Sequence, residues 1–220
     1  AEEAFNYWYE HISLMGGIKQ GTTYLHNIGF YIENPLDNEI KLQWRGWKKD
    51  YAEREYQWYL SKDRSVKELA KHAKIWNTMH SGDFIVNSNY GWQWNRNNQL
   101  MKVTEMLLNN KDTRQAFLTI YDGKEIDSFK HDTPCTLSIG FNITENSLNM
   151  TVMMRSNDLW FGFCNDQYCF SSLQRDLAKT LGLSVGWYYH HVNDFHIYYK
   201  QLGKSPKVND IESSVKVLLK

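Results

Sequence analysis

"DTPCTLSIGFNITENSLNMTVMMRSND" (132–158) decides the fold. Residues 135–144 and 147–158 read as two strands, joined by a turn at Glu145 and Asn146. A cysteine follows a proline at the mouth of the first strand. Arg155 lies twenty residues downstream, and it comes close to Cys135 if the two strands are neighbours. A thiol beside a cation is a candidate nucleophile, because the cation favours the thiolate. Cysteine is also among the most buried residue types. The hairpin alone leaves both readings open.

Working outward, "RQAFLTIYD" (114–122) and "GTTYLHNIGFYIENP" (21–35) read as further strands, the second ended by Pro35. "SVGWYYHHVNDFHIYYKQL" (184–202) is a strand or a pair of strands. Helical spacing marks residues 4–15, 48–63, 95–110, 165–183 and 208–220, with Gly182 as a stop signal. "SVKELAKHAKIWNTM" (65–79) carries a capping-box pattern, Ser65 followed by Glu68, and predicts another helix. Helices and strands mix without regular alternation, so the class is α+β, in one domain over 1–220.

Composition narrows the function. Lys+Arg and Asp+Glu balance at 25 each, which gives no basic stripe for nucleic acid. Hydrophobic residues make up 42% and aromatics 15%, against disorder. No apolar run approaches membrane-spanning length, and the acidic start does not read as a signal peptide. Three cysteines suggest no disulfide framework, and a reducing cytoplasmic location is expected. Cys164 and Cys169, spaced C-x4-C without a second pair, suggest structural residues rather than a zinc site, and no metal is expected.

Four clusters, in this order, resemble the thymidylate synthase superfamily. They are "EYQW" (55–58), "PC" (134–135), "RSND" with "FGF" (155–158, 161–163) and "HHVNDFHIYY" (190–199). The likeness runs from about residue 20 to 200, and "NSNYGW", "MRSND" and "FGFCND" resemble most the phage deoxycytidylate hydroxymethylases. It implies a mixed or antiparallel sheet flanked by helices, with one sheet face as a homodimer interface. It implies a pyrimidine nucleoside monophosphate as substrate and 5,10-methylenetetrahydrofolate as co-substrate. Cys135 would then add to ring carbon 6 and make carbon 5 enamine-like. Arg155, Ser156 and Asn157 would bind substrate, Arg155 at the phosphate and thiol. His196 and Tyr198 would bind the sugar, Asp158 and Trp76 the folate region, and Tyr90 would lie near the nucleophile. Glu55 would position the water that attacks the methylene at carbon 5. On composition alone, Glu55 reads more readily as a solvated helix residue in an i,i+4 pair.

An ungapped alignment puts Asp166 where thymidylate synthases carry the base-reading Asn. An ionised Asp only accepts hydrogen bonds. That suits cytosine, with its amine and a protonated ring nitrogen, and opposes uracil's carbonyl. The expected discrimination is on the order of 10⁴ in rate. A one-residue slip would place Asn165 there instead, and Asp166 is also a favoured helix N-cap. Three departures stand out. The family's adjacent phosphate-binding arginines, donated by the partner subunit, appear as Arg114 and Gln115. Lys19 is a weak substitute for an N-terminal phosphate arginine, and Thr136 replaces a His after the nucleophile. The reading is dCMP hydroxymethylation in a homodimer whose Arg114 reaches the partner's phosphate site. The alternatives are a uracil nucleotide hydroxymethylase or methylase, and a non-catalytic nucleotide- or RNA-binding relative.

Overall fold

A computed structural model describes residues 1–129 and 131–206. Helix α1, Glu2–Met15, buries Phe5, Tyr9 and Ile12, which are spaced four and three apart on one face. Strands β1, Gly17–Lys19, and β2, Thr22–Ile32, form an antiparallel hairpin through Gln20 and Gly21, both at positive φ. Helix α2, Lys49–Ser61, buries Ala52, Glu55, Tyr56 and Tyr59. Helices α3, Tyr90–Asn95, and α4, Gln99–Asn109, follow, then β3, Phe117–Thr119.

The opening hairpin is β4, Thr136–Thr144, and β5, Ser147–Met154. Glu145 (φ 48) and Asn146 (φ 59) make its two-residue turn, a backbone whose twist matches that of the strands. Beyond β5 lie the short β6, Asn157–Asp158, a π-helical turn over Leu159–Phe163, helix α5, Cys164–Leu181, and β7, Ser184–Tyr198. Gly182 takes φ 69 and stops α5 as its sequence position suggests.

These strands make one mixed sheet in the order β1-β2-β7-β5-β4-β3, with β6 paired to β7 off that path. Neighbours are antiparallel except that β5 and β6 both run parallel to β7. The parallel return needs a crossover, and α5 supplies it. It buries Cys164, Cys169, Phe170, Leu173 and Leu177 in the core. Both cysteines are fully buried, as expected of structural residues.

β7 is the central strand. Along its first part it pairs with β5 as far as Met154 with Val192; the partnership resumes with β6 at Asn157 and Phe195. Between these, the outer neighbour strand is interrupted at Arg155 and Ser156. The sheet forks there.

Several expectations change. Residues 65–79 form no continuous helix, but two short 3-10 turns, Leu69–Lys71 and Lys74–Thr78. Val66 N–H bonds to the Phe84 carbonyl and Val86 N–H to the Arg64 carbonyl, so Ser65 enters a β-bridge with Ile85. Glu68 pairs with Lys71 instead of closing a capping box. The segment's apolar residues Val66, Leu69, Ala70 and Trp76 join Val86 in a satellite core of their own. The helix expected over 95–110 starts at Gln99, because Asn97 and Asn98 are left-handed (φ 55 and 60) and separate it from α3. The 114–122 strand shrinks to β3, and 184–202 is one strand followed by a 3-10 turn. The final helix expected over 208–220 lies outside the described residues.

Candidate active site

The site forms at the sheet fork. Cys135 stands one residue before β4, and its carbonyl accepts from the Arg155 backbone N–H at 2.8 Å. The Arg155 guanidinium folds back over the same turn. Its Nε donates to the Pro134 carbonyl at 3.0 Å, and Nη2 to the Thr133 carbonyl at 2.8 Å. Nη2 also lies 3.6 Å from Cys135 Sγ. The hairpin thus brings thiol and cation together, as the twenty-residue spacing suggests.

The turn is anchored from below by Asp132, buried at 2% exposure. It accepts from the backbone N–H of Asn87 and of Ser88, each at 2.6 Å, and from Ser88 Oγ. Arg64 holds Asn87 Oδ1 at 2.6 Å. From α3, the Tyr90 hydroxyl accepts from the Thr136 N–H at 3.3 Å. Tyr90 gets there because α3 lies hard against α2. A Cβ on Gly91 would sit 1.6 Å from the Tyr59 carbonyl oxygen, so a side chain is excluded.

Proximity to a cation does not by itself ionise the thiol. Burial pushes the Cys135 thiol up to about 11; Arg155 opposes this, while the charges of Asp166, Asp132 and Asp158 add to it. Arg155 favours the thiolate, as its proximity suggests, but burial outweighs that pull.

Glu55 comes from α2 and is buried at 5% exposure, which excludes a solvated ion-pair role. Tyr59 donates to its Oε1 at 2.9 Å. Burial pushes its carboxyl up to about 7, against hydrogen bonds from Tyr59 and Tyr51. Trp76 Nε1 in turn donates to the Tyr51 hydroxyl at 2.8 Å, so the satellite core reaches Glu55 through one phenol. Trp76 itself is 8% exposed and stands edge-on to Trp58.

The third side of the site belongs to β6 and α5. Asp158 pairs in register with His196, and its two oxygens accept from Trp160 N–H and Phe161 N–H, each at 3.0 Å, capping the π-helical turn. That turn sets the phase of α5 so that Asp166, in its first turn, meets Asn157. Asn157 Nδ2 donates to Asp166 Oδ2 at 2.7 Å. Asp166 does not cap α5, whose N-terminal boundary is Phe163 with no side-chain cap. Neighbouring Asn165 is held by Trp47, whose Nε1 donates to Asn165 Oδ1 at 2.9 Å. Burial holds the Asp166 carboxyl well above its ordinary range; Glu55 and Asp158 add to this and Asn157 opposes it.

His196 and Tyr198 follow on β7 with their rings 5.4 Å apart, edge to face, and His196 bonds Asp194 at 3.0 Å. Ser156 lies at the fork between Arg155 and β6. Arg114 and Gln115 are elsewhere, on the exposed turn before β3, and Lys19 is exposed on β1. Three contributors escaped sequence reasoning. Asp132 stands three residues before Cys135 in the opening quotation, and Tyr51 lies four residues before Glu55 on its helix, so a spacing signal was there. Arg64, just before the satellite segment, carried none. Among the described residues no cluster of three or more His, Cys, Asp or Glu could hold a metal ion.

A mixed sheet forked over a cysteine–arginine pair, with a helical carboxyl on either side, defines the thymidylate synthase fold. Thermostable thymidylate synthase A from Bacillus subtilis superimposes with a TM-score of 0.73 over 91% of this chain and 81% of its own, at 21% identity. The thymidylate synthase family model matches residues 31–212, and the chain belongs to that family. A deoxyuridylate hydroxymethyltransferase of Delftia phage PhiW-14 is 31% identical over 87% of this chain and 56% of its own length. A deoxycytidylate 5-hydroxymethyltransferase of Enterobacteria phage T4 is 32% identical over 68% of this chain and 67% of its own. The chain thus spans from about 46% to 67% of the length of the curated relatives it matches. No described helix is long and apolar enough to cross a membrane.

Proposed function

We propose that this chain is a pyrimidine nucleotide C5 one-carbon transferase, and that it hydroxymethylates dCMP. The observation that carries the choice of base is the Asn157–Asp166 hydrogen bond beside the Cys135–Arg155 pair. Asp166 presents a carboxyl to the site while Asn165 is occupied by Trp47. A carboxyl that keeps its proton can donate to the cytosine ring nitrogen and accept from the exocyclic amine.

The steps follow from where protons sit. Cys135 Sγ adds to ring carbon 6 as its proton passes to solvent, and the ring nitrogen takes a proton from Asp166, which is left as a carboxylate. Neutralising the ring nitrogen's growing negative charge stabilises the adduct. Carbon 5 becomes enamine-like and accepts the one-carbon unit that 5,10-methylenetetrahydrofolate supplies when bound. Gly162 lets its turn pack closely on Asn157: a Cβ there would stand 2.8 Å from Asn157 Nδ2. Asp158 and the exposed ring of Phe161 belong to the same turn, and Trp76 backs the site through Tyr51. Glu55, at about 7, suits a group that takes a proton from water as it attacks the carbon 5 methylene. Arg155 and Ser156 face the phosphate, with His196 and Tyr198 at the sugar. The chemistry requires no metal.

A homodimer fits the geometry. Tyr31, Tyr189, Thr151, Gly140 and Phe117 lie in one row across five strands. Tyr31 and Phe117 are 58% and 51% exposed on this open face. Arg114 precedes β3, whose Phe117 pairs with Gly140, five residues along β4 from Cys135. That is about 17 Å of strand. That separation supports a reading in which Arg114 serves another molecule's phosphate rather than its own.

A uracil reading remains in play because the PhiW-14 relative is named for deoxyuridylate. Release of tritium from carbon 5 of dCMP and of dUMP separates the two. We expect release from dCMP, and a shift towards dUMP in Asp166→Asn. Release from dUMP alone by the parent protein would overturn the cytosine assignment.

A further inference from the structure

Asp166 alone is an ambivalent reader. A neutral carboxyl carries one donor and one acceptor. It serves cytosine by donating to the ring nitrogen from one oxygen and accepting from the amine on the other. If the proton moves to the other oxygen, the same group serves uracil. A second group has to break that symmetry.

Asn157 is placed to do so. Its Nδ2 donates to Asp166 Oδ2 at 2.7 Å. The residue is 3% exposed, and its Oδ1 is buried without a hydrogen-bond partner. An unsatisfied buried acceptor is unfavourable and favours a donor brought to it. Gly162 packs closely on the same pair: a Cβ there would stand 2.8 Å from Asn157 Nδ2 and 3.5 Å from Asp166 Oδ2. We infer that Asn157 is the specificity-determining residue for the exocyclic amine of cytosine. Its Nδ2 fixes Oδ2 of Asp166 as the accepting oxygen, and its free Oδ1 takes the amine's second hydrogen. The inference rests on the proposed pyrimidine nucleotide chemistry.

An amino group has two hydrogens, and this arrangement offers two acceptors for them. A uracil carbonyl in the same place would meet both acceptors with lone pairs. Moving the acid proton to Oδ2 would relieve one clash but point a hydroxyl where the amide N–H already points. Asn157 therefore turns a two-way acid into a one-way reader, without touching the sulfur chemistry.

The test is equilibrium binding of dCMP and dUMP to the whole chain without folate, followed by tryptophan fluorescence. In Asn157→Ala the ratio of dCMP to dUMP affinity should fall roughly 10- to 100-fold, chiefly through weaker dCMP binding. Asn157→Thr, which keeps a donor and an acceptor, should recover part of that ratio. If Asn157→Ala does not unfold cooperatively, Asn157→Asp carries the test: it keeps the shape, lacks the amide donor and should also lower the ratio. An unchanged ratio in a folded variant overturns the inference, as does equal weakening for both nucleotides, which would mark a packing role. A parent that binds neither nucleotide sinks the proposed function itself. A parent that prefers dCMP, with the variant ratio unchanged, sinks only the role of Asn157.

Discussion

Cys135 and Glu55 face one site from opposite sides and are held by opposite means. Cys135 hangs on the sheet. Its carbonyl is bonded to Arg155, its turn is clamped by Asp132, and a guanidinium lies 3.6 Å from its sulfur. Glu55 sits on a helix, in contact with phenols and no cation, and the nearest tryptophan behind it belongs to the satellite core. Yet both are uncharged or half-charged, because burial outweighs local partners in each case. The cation beside the thiol offsets only part of that desolvation. Ionisation here is a step of the reaction, coupled among thiol and carboxyls, and not a standing property of one residue.

The comparison breaks most sharply at the sulfur. Cys135→Ala should lower carbon 5 tritium release by roughly 10⁴-fold or more, with only a small change in the unfolding midpoint, since Cys135 is partly buried at the edge of the core and loses a single sulfur. A variant that keeps appreciable release would remove the thiol from the chemistry. The second break is at the joint between the two sides. Gly91→Ala drives a methyl into the Tyr59 carbonyl and should cost about 3 kcal/mol or more in urea unfolding. It should also lower activity by displacing Tyr90 from Thr136. Wild-type stability would mean that α2 and α3 need no such close approach.

The smallest effect sharpens the Glu55 side. A carboxyl raised by folding holds its proton more tightly in the folded chain than in the unfolded one. Its contribution is complete below the ordinary value of 4.5 and is lost as pH climbs through about 7. Over that window the parent should lose about 2–3 kcal/mol of stability that Glu55→Gln does not lose. Parallel pH profiles for the two proteins would place Glu55 in a more solvated setting than its contacts indicate.

The hairpin, its two-residue turn, the Gly182 stop and the long strand β7 were all legible in the residues, because local alternation and turn chemistry dictate them. So was the α+β class, and the family resemblance held. The satellite segment was not legible. Its apolar spacing fits a helix, but backbone bonds from Arg64 and Val66 to Val86 and Phe84, some twenty residues on, override that preference. Asn97 and Asn98 look like ordinary helix residues until their left-handed backbone is seen. In the site, the residue types that approach one another could be read. The protonation of Cys135 could not, since desolvation depends on everything packed around it.

The interruption at Arg155 and Ser156 has a further consequence. The register between β5 and β7 ends at Met154 and resumes at Asn157, and Arg155 spans the gap, its carbonyl accepting from the Asp194 N–H and its own N–H bonded to Cys135, so the candidate site residues lie at a break in strand register held by single backbone bonds. Side chains at that break can be exchanged without unzipping a strand. A scaffold of this kind lets chemical taste drift, from one base to another or from one acceptor to another, while the folded body barely registers the change.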